Sequence, residues 1–463
     1  MGNGGFDVIV GNPPYVFARE KIGEQEKKYY VDKYKSAQYQ VNTYLLFIED
    51  SVKLLKENGF LGLIVPNAWL MVSSGEKLRE FLLENTNIKK IVNLQGESFE
   101  GVNVETIILN AEKTNKPDNA VEIYTNDQIK FEYSHKLNQV EFYKNPEKEF
   151  YVFADDKSQK IIDKIKKPSI ELDHLALIKA GLQAYEVGKG NPKQTKKDVE
   201  NRPFDYSYKY DEKTYKYLDG KNVNRYFIDW DGLWLRYGDH LAAPRSFDIF
   251  ENEKIIIREI TSKFPNAILA TYSDEIFLFN RSNIAINSKE NSDVSLKYIL
   301  AIINSSLLSY YFLKYTAKSV RKMFPKLILK DLRKFPIKKI SKNEQKPFID
   351  KVDQMLKFNH DFVELKNKIL KLLLSDFELK KVSKNLNNWN ELTWKDFEKE
   401  LKKQKITLKG ETKEDWFDRF NRYKKQANQL QDQINQTDKE IDQMVYDLYG
   451  LTDDEIRIVE ATE

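Results

Sequence analysis

The sequence contains no cysteine. Disulfides and thiolate metal sites are thereby excluded, and the composition suits a reducing cytoplasm. Histidine is almost as scarce. His135, His174, His240 and His360 are scattered along the chain, so no histidine-built metal centre is expected. Long apolar runs are missing too, and nothing approaches the ~20 consecutive apolar residues that a membrane helix needs. The opening MGNGGFDVIV has neither a charged n-region nor a long apolar segment and does not read as a signal peptide. Met1-Gly2 is not a myristoylation start, because position 6 carries Phe6 where Ser or Thr is required. A large net charge is also lacking, the balance being only +4.

What is present is 463 residues, 41% hydrophobic and 32% charged, enough for two or three domains with a buried core. The small net charge hides an uneven distribution. Between Lys314 and Lys342 the chain places eleven Lys and Arg, including Lys318, Arg321, Lys322 and Lys326, against one acid, Asp331. Such a stripe reads as a phosphate-contacting face or as a solvated basic surface.

The first ~115 residues alternate apolar runs with helical patterns. FDVIVGN (6–12), FLGLIVP (60–66), IKKIVNLQ (88–95) and VETIILNAEK (104–113) read as strands. TYLLFIEDSVKLLKENG (43–59) reads as a helix closed by Asn58-Gly59, and SGEKLREFLLENT (74–86) as another. Continuous apolar strands separated by helices predict a parallel sheet covered on both faces. Residues 116–167 are polar and read as a linker with a short hairpin. From 168 onward, short Tyr-, Ile- and Trp-rich strands predict a mixed α+β region, with a hairpin turn at Ser273-Asp274 and one helix over 296–317. PFDYSYKYDEK (203–213) reads as a solvated Tyr-rich loop. Residues 343–463 are charged and helical, with Leu430, Ile434, Ile441, Val445 and Leu448 along one stripe.

The first strand runs directly into Asn12-Pro13-Pro14-Tyr15. In open α/β sheets ligands bind beyond the carboxyl ends of the strands. Two prolines fix two φ angles and remove two N–H donors, which leaves carbonyl acceptors in a rigid turn. With the Asn12 side-chain oxygen, two acceptors stand ready for an NH2 group, and Tyr15 offers a flat face for stacking. Two aligned acceptors favour a more tetrahedral nitrogen as it attacks, which is stabilisation aimed at the transition state. The turn could also simply end a strand, since Asn-Pro is a common turn opener.

FDVIVGNPPYV resembles motif IV of amino-group methyltransferases that use S-adenosylmethionine. LLKENGFLGLIVPNAWL and IVNLQGESFEGVNVETIILN resemble the later elements of gamma-type, TaqI-like DNA adenine-N6 methyltransferases. LAIINSSLLSYYF with the basic stretch resembles the end of their DNA-specificity domain. EIDQMVYDLYGLTDDEIRIVE resembles the C-terminal end of single-chain type IIG restriction-modification proteins. The likeness is patchy over 171–310. It implies a partial class I (Rossmann-like) methyltransferase domain over 1–115, a TaqI-like specificity domain over 168–342 and a helical C-terminal region.

By that resemblance Asn12 and the Pro13 carbonyl accept the adenine amino group, with Pro14 completing the turn. Tyr15 and Phe99 stack on the base. The adenine of double-stranded DNA must be flipped out of the duplex to reach them. Arg225, Arg236, Arg245 and Arg258, with Lys318, Arg321, Lys322 and Lys326, are the candidate DNA contacts. NPPY is shared with protein-glutamine and rRNA methyltransferases, which remain alternatives, as does a non-catalytic DNA-binding specificity module. The family's glycine-rich cofactor turn precedes NPPY, and Gly2, Gly4 and Gly5 follow no strand. The expectation is a chain that begins within a catalytic domain, with the main S-adenosylmethionine motif elsewhere and an N-terminal partner polypeptide needed for activity.

Overall fold

The structure is a computed structural model that describes residues 4–15, 22–37, 41–94, 105–114, 119–127, 130–152, 154–290, 292–316, 326–379 and 381–462. Two compact units emerge, Met1–Lys164 with Tyr310–Pro325, and Ile165–Ser309 with Lys326–Glu463.

The first unit is built on a six-stranded sheet. Its strands are β1 (Phe6–Gly11), β2 (Leu55–Pro66), β3 (Thr86–Leu94), β4 (Thr106–Lys113), β5 (Ala120–Asp127) and β6 (Lys130–Asn138), in the order β1-β2-β4-β3-β5-β6. β1 runs parallel to β2, and β3 to β5, while β4 lies antiparallel between β2 and β3 and β6 is antiparallel to β5. The sheet is therefore mixed rather than wholly parallel as its apolar strands predict. The physical reason is the length of the connection: a parallel neighbour needs a crossover of a dozen or more residues, and only residues 95–105 join β3 to β4. β5 and β6 form a hairpin drawn from the stretch that reads as a linker, and they extend the sheet.

Three helices accompany these strands: α1 (Glu24–Lys33), α2 (Thr43–Leu54) and α3 (Glu76–Asn85). α2 buries Tyr44, Leu45, Ile48 and Val52, and α3 buries Leu78, Phe81 and Leu82. α1 buries nothing, consistent with its run of charges. α2 stops at Leu54, short of Asn58-Gly59. Those two residues instead serve a bulge in β2. Asn58 has φ 63°, and a Cβ on Gly59 would meet the carbonyls of Lys56, Phe6 and Asp7 at 3.0–3.1 Å. The β1–β2 register shifts at this point, between Phe6 and Val8.

The second unit carries two four-stranded sheets. One orders Ala270–Ser273, Lys254–Arg258, Asn283–Ser288 and Ala176–Ala180, all antiparallel. The other orders Leu278–Phe279, Thr214–Leu218, Trp234–Arg236 and Asp205–Tyr206. Ser273-Asp274 is consequently not a hairpin turn. The strands before and after it enter different sheets, because Phe277, Leu278 and Phe279 are buried in a core with Tyr217, Leu218 and Phe250.

The helix expected over 296–317 breaks into Leu296–Ile303 and Ser306–Tyr315. Asp442 accepts from the Ser306 amide at 2.8 Å and from its hydroxyl at 2.6 Å, so a carboxylate caps the new helix start. The helical region belongs to this same unit. Lys342–Asp376 packs along Gly410–Tyr449. Ile441 and Val445 are buried as the stripe predicts, while Leu430, Ile434 and Leu448 are half-buried. Among the described residues no single helix is long and apolar enough to cross a membrane.

Candidate active site and nucleic-acid interface

β1 and β2 run side by side in parallel, with Gly11 opposite Leu63, so both release their chains at the same edge of the sheet. Asn12 leaves β1 exposed, Pro13 is buried, Pro14 is exposed and Tyr15 is half-buried. Tyr15 folds back over β2. Its hydroxyl lies 3.0 Å from the Ile64 carbonyl and 2.8 Å from Asn12 Oδ1. The ring meets Tyr44 of α2 edge-on, with centroids 6.3 Å apart and planes at 82°. Burial raises the phenol's pKa, so the hydroxyl remains a neutral donor through the physiological range.

The Thr43 hydroxyl, at the start of α2, donates to the Pro14 carbonyl at 2.8 Å. That bond uses one of the carbonyl's two lone pairs. Among the described residues no hydrogen bond reaches the Pro13 carbonyl, so it and Asn12 Oδ1 are the candidate acceptors of the turn. Neither proline can donate. The site can therefore accept hydrogen bonds from an amino group without offering the backbone donors that would compete. Its walls are fixed by β2 below and α2 alongside. Beside it, Asn67 just past the end of β2 is buried and donates from Nδ2 to Glu105 at 3.3 Å, which ties the exit of β2 to the entrance of β4. Sequence reasoning missed Thr43 and Asn67. The only signal for Thr43 is its place as the first residue of an amphipathic helix.

The described residues do not by themselves form a cradle for S-adenosylmethionine. The positive-φ glycines of this unit, Gly4 and Gly5, lie ahead of β1, and a Cβ on Gly5 would stand 2.3 Å from the Leu54 carbonyl. They pack against the chain rather than around an open turn. Phe99, Lys318, Arg321 and Lys322 lie outside the described residues.

In the second unit the remaining candidate cations separate into three situations. Arg225 is internal. Its side chain is 11% exposed, and the guanidinium pairs bidentately with Asp438 at 2.5 and 2.6 Å and donates twice to the Asn304 carbonyl. Four of its five N–H donors are thereby engaged inside the fold, which leaves little of it for a duplex. Arg236 is half-buried and held by Asp211 at 2.6 Å, beside the stacked Tyr206 and Tyr210. Arg245, Arg258 and Lys326 come to one end of one sheet. Arg258 closes its strand opposite Asn283, Arg245 donates to the Gly181 carbonyl just past the neighbouring strand, and Lys326 bridges to Ile260 and pairs with Glu259. Arg281, in the turn that enters the Asn283 strand, is exposed at this same end and was missed. Its only sequence signal is a cation placed between two strands.

Residues 1–99 match the family model described as Eco57I restriction-modification methylase, and residues 215–337 match the TaqI-like C-terminal specificity domain. A third match, over 341–445, is to a domain of unknown function. Among curated relatives, the type II restriction enzyme and methyltransferase RM.Eco57I of Escherichia coli is 42% identical over 113 residues, 24% of this chain and 11% of its own length. Type II methyltransferase M.TthHB8I of Thermus thermophilus is 34% identical over 117 residues, 24% of this chain and 27% of its own. Adenine-specific methyltransferase BrxX of Escherichia coli is 23% identical over 358 residues, 72% of this chain and 28% of its own. The chain thus spans less than a third of each of these proteins. Among solved structures, the type IIL restriction-modification enzyme MmeI in complex with DNA shares the fold, with a TM-score of 0.56 at 12% identity over 98% of this chain and 56% of that one.

Proposed function

We propose that this chain forms part of a DNA adenine-N6 methyltransferase of the restriction-modification kind, with S-adenosylmethionine as the methyl donor. The observation that carries the reading is the acceptor pair at the β1 exit, Asn12 Oδ1 and the Pro13 carbonyl, set where the hydroxyls of Tyr15 and Thr43 are already engaged. An exocyclic amine is a poor nucleophile because its lone pair is delocalised into the ring. Two acceptors on its hydrogens localise that pair on nitrogen and direct it for attack. Pro14 keeps the turn rigid. Tyr15 and Phe99 are the proposed stacking partners of the flipped base.

Arg245, Arg258, Arg281 and Lys326 are the proposed duplex contacts of the second unit, with Lys318, Arg321 and Lys322 as phosphate contacts and Arg236 as a further candidate. The MmeI enzyme, which shares this fold, was solved in complex with DNA, and this supports the assignment. β1 is the end strand of its sheet, and Phe6, Val8 and Val10 are 56, 58 and 78% exposed. An apolar edge of this kind fits a further segment or a second polypeptide that packs on β1 and completes the cofactor site. The second reading is a DNA-binding specificity module without transfer activity, favoured by the incomplete cofactor cradle.

The deciding experiment is transfer of a labelled methyl group from S-adenosylmethionine to unmethylated duplex DNA by the full chain, with Asn12→Ala as control. Transfer that falls at least ~100-fold in the control supports the first reading, a loss in the range of one strong electrostatic contact to a transition state. Salt-sensitive DNA binding without transfer supports the second.

A further inference from the structure

The side chain of Asn12 can present two opposite faces to the same ligand. Rotation of its carboxamide by half a turn exchanges an acceptor for a donor, and the two orientations have nearly the same shape. Facing an amino group, the oxygen makes a hydrogen bond, whereas the NH2 sets donor against donor. An exposed asparagine at the tip of a strand has no intrinsic preference between them, so something must choose. One group within reach of Asn12 has the chemistry to do so.

The Tyr15 hydroxyl carries a single proton. It lies 2.8 Å from Asn12 Oδ1 and 3.0 Å from the Ile64 carbonyl. Ile64 is fixed in the sheet opposite Ile108, so the hydroxyl is anchored to a backbone point that does not move. The ring is held edge-on against Tyr44, which is almost wholly buried. A hydroxyl held in this way is a donor at a set position beside the amide. It engages one lone pair of Oδ1 and leaves the other for the substrate. The Pro14 carbonyl is engaged by the Thr43 hydroxyl.

We propose that the Tyr15 hydroxyl, distinct from the Tyr15 ring, is a positioning group that orients the Asn12 carboxamide with its oxygen toward the incoming amine. The proposal rests on the reading of Asn12 to Tyr15 as an amine-accepting site and deepens it. One side chain would divide its work in two, the ring stacking on the base and the hydroxyl setting the acceptor. The opposite arrangement has the phenol proton on the Ile64 carbonyl and Asn12 Nδ2 turned onto the phenol oxygen. Tyr15 would then anchor the turn without choosing the face.

The test measures binding of the full chain to a short single-stranded oligonucleotide with one adenine, against the same oligonucleotide with purine, which lacks the amino group. Fluorescence anisotropy gives both affinities for the wild-type chain, Tyr15→Phe, Tyr15→Leu and the double variant Asn12→Asp with Tyr15→Phe. The wild type should prefer adenine. Tyr15→Phe keeps the ring and should lose that preference by about tenfold, the worth of one good hydrogen bond, while binding purine as before. Tyr15→Leu should weaken both. The double variant should regain the preference, because a carboxylate has an acceptor oxygen on each face and needs no orienting donor. A Tyr15→Phe chain that still prefers adenine overturns the proposal and leaves the amine site standing. A preference lost in Tyr15→Phe and not regained in the double variant also overturns it, in favour of a purely anchoring hydroxyl. A wild-type chain indifferent to the amino group removes the amine site itself, and the proposal with it.

Discussion

Arg79 is wholly buried, and every hydrogen bond that its guanidinium makes ends on a backbone carbonyl: Trp69, Val72 and, twice, Glu147. The carbonyls of Trp69 and Val72 belong to the turn that follows β2, beside the NPPY exit. Replacing Arg79 with Ala strands these buried acceptors and should cost about 3 kcal/mol, read as a lower urea midpoint at unchanged slope. An unchanged midpoint would mean that water replaces the guanidinium. The next residue acts through charge. Lys77 and Lys148 both pair with Glu80 and hold its pKa down to about 2, below the ordinary 4.5. Its folded pKa is depressed, so its stabilising effect is present above pH 4.5 and is lost as the pH falls toward 2. Glu80→Gln should lower thermal stability at pH 7, leave it nearly unchanged near pH 2, and so flatten the decline across that window. A decline of equal steepness in the variant would assign it to other carboxylates. At this scale the sequence is most readable where partners are near. Asn12 and Tyr15 are three residues apart, and their chemistry is visible in one tetrapeptide. Arg225 looks like any surface cation because Asp438, which claims it, lies 213 residues away.

That same ion pair is an element-scale device. It fastens the tight turn between Val223–Asn224 and Phe227–Ile228 to the long helix Gly410–Tyr449, one turn of helix from Asp442, which caps Ser306. Removing either partner leaves a buried charge, so Arg225→Ala and Asp438→Ala should each destabilise by about 3–5 kcal/mol. The double variant should cost clearly less than the sum of the two, a coupling that a double-mutant cycle measures directly. Strict additivity would show that the two charges do not depend on each other. Strands and helices with strong periodicity were legible here: β1, β3, α3 and the C-terminal helices stand where their patterns put them, and α2 starts where expected but ends at Leu54. Connections were not. The direction of β4, the sheet-forming role of β5 and β6 and the helix break at Asn304-Ser305 depend on loop length or on caps from remote residues, and neither leaves a local signature.

At the scale of the molecule, a net charge of only +4 means that the proposed DNA binding would come from where the cations lie and not from their number. Arg281→Ala and Lys326→Ala should each lower the slope of log affinity against log salt by about 1 if they meet phosphates. Arg225→Ala should leave the slope of the folded fraction unchanged. Equal slopes for all three variants would remove that end of the sheet from the interface.

The paired helices Lys342–Asp376 and Gly410–Tyr449 have a further consequence. They run roughly 50 and 60 Å, at about 1.5 Å per residue. Around their distal ends Leu373, Trp389, Phe397, Leu401, Trp416 and Phe420 close a small core of their own. A stalk of this design can be lengthened without redesign. Seven residues added to both helices at once would carry the tip about 10 Å outward while keeping the buried stripe nearly in phase. Over evolutionary time such a part behaves as an adjustable boom. Its reach and its tip can change without altering a residue of the acceptor turn at Asn12.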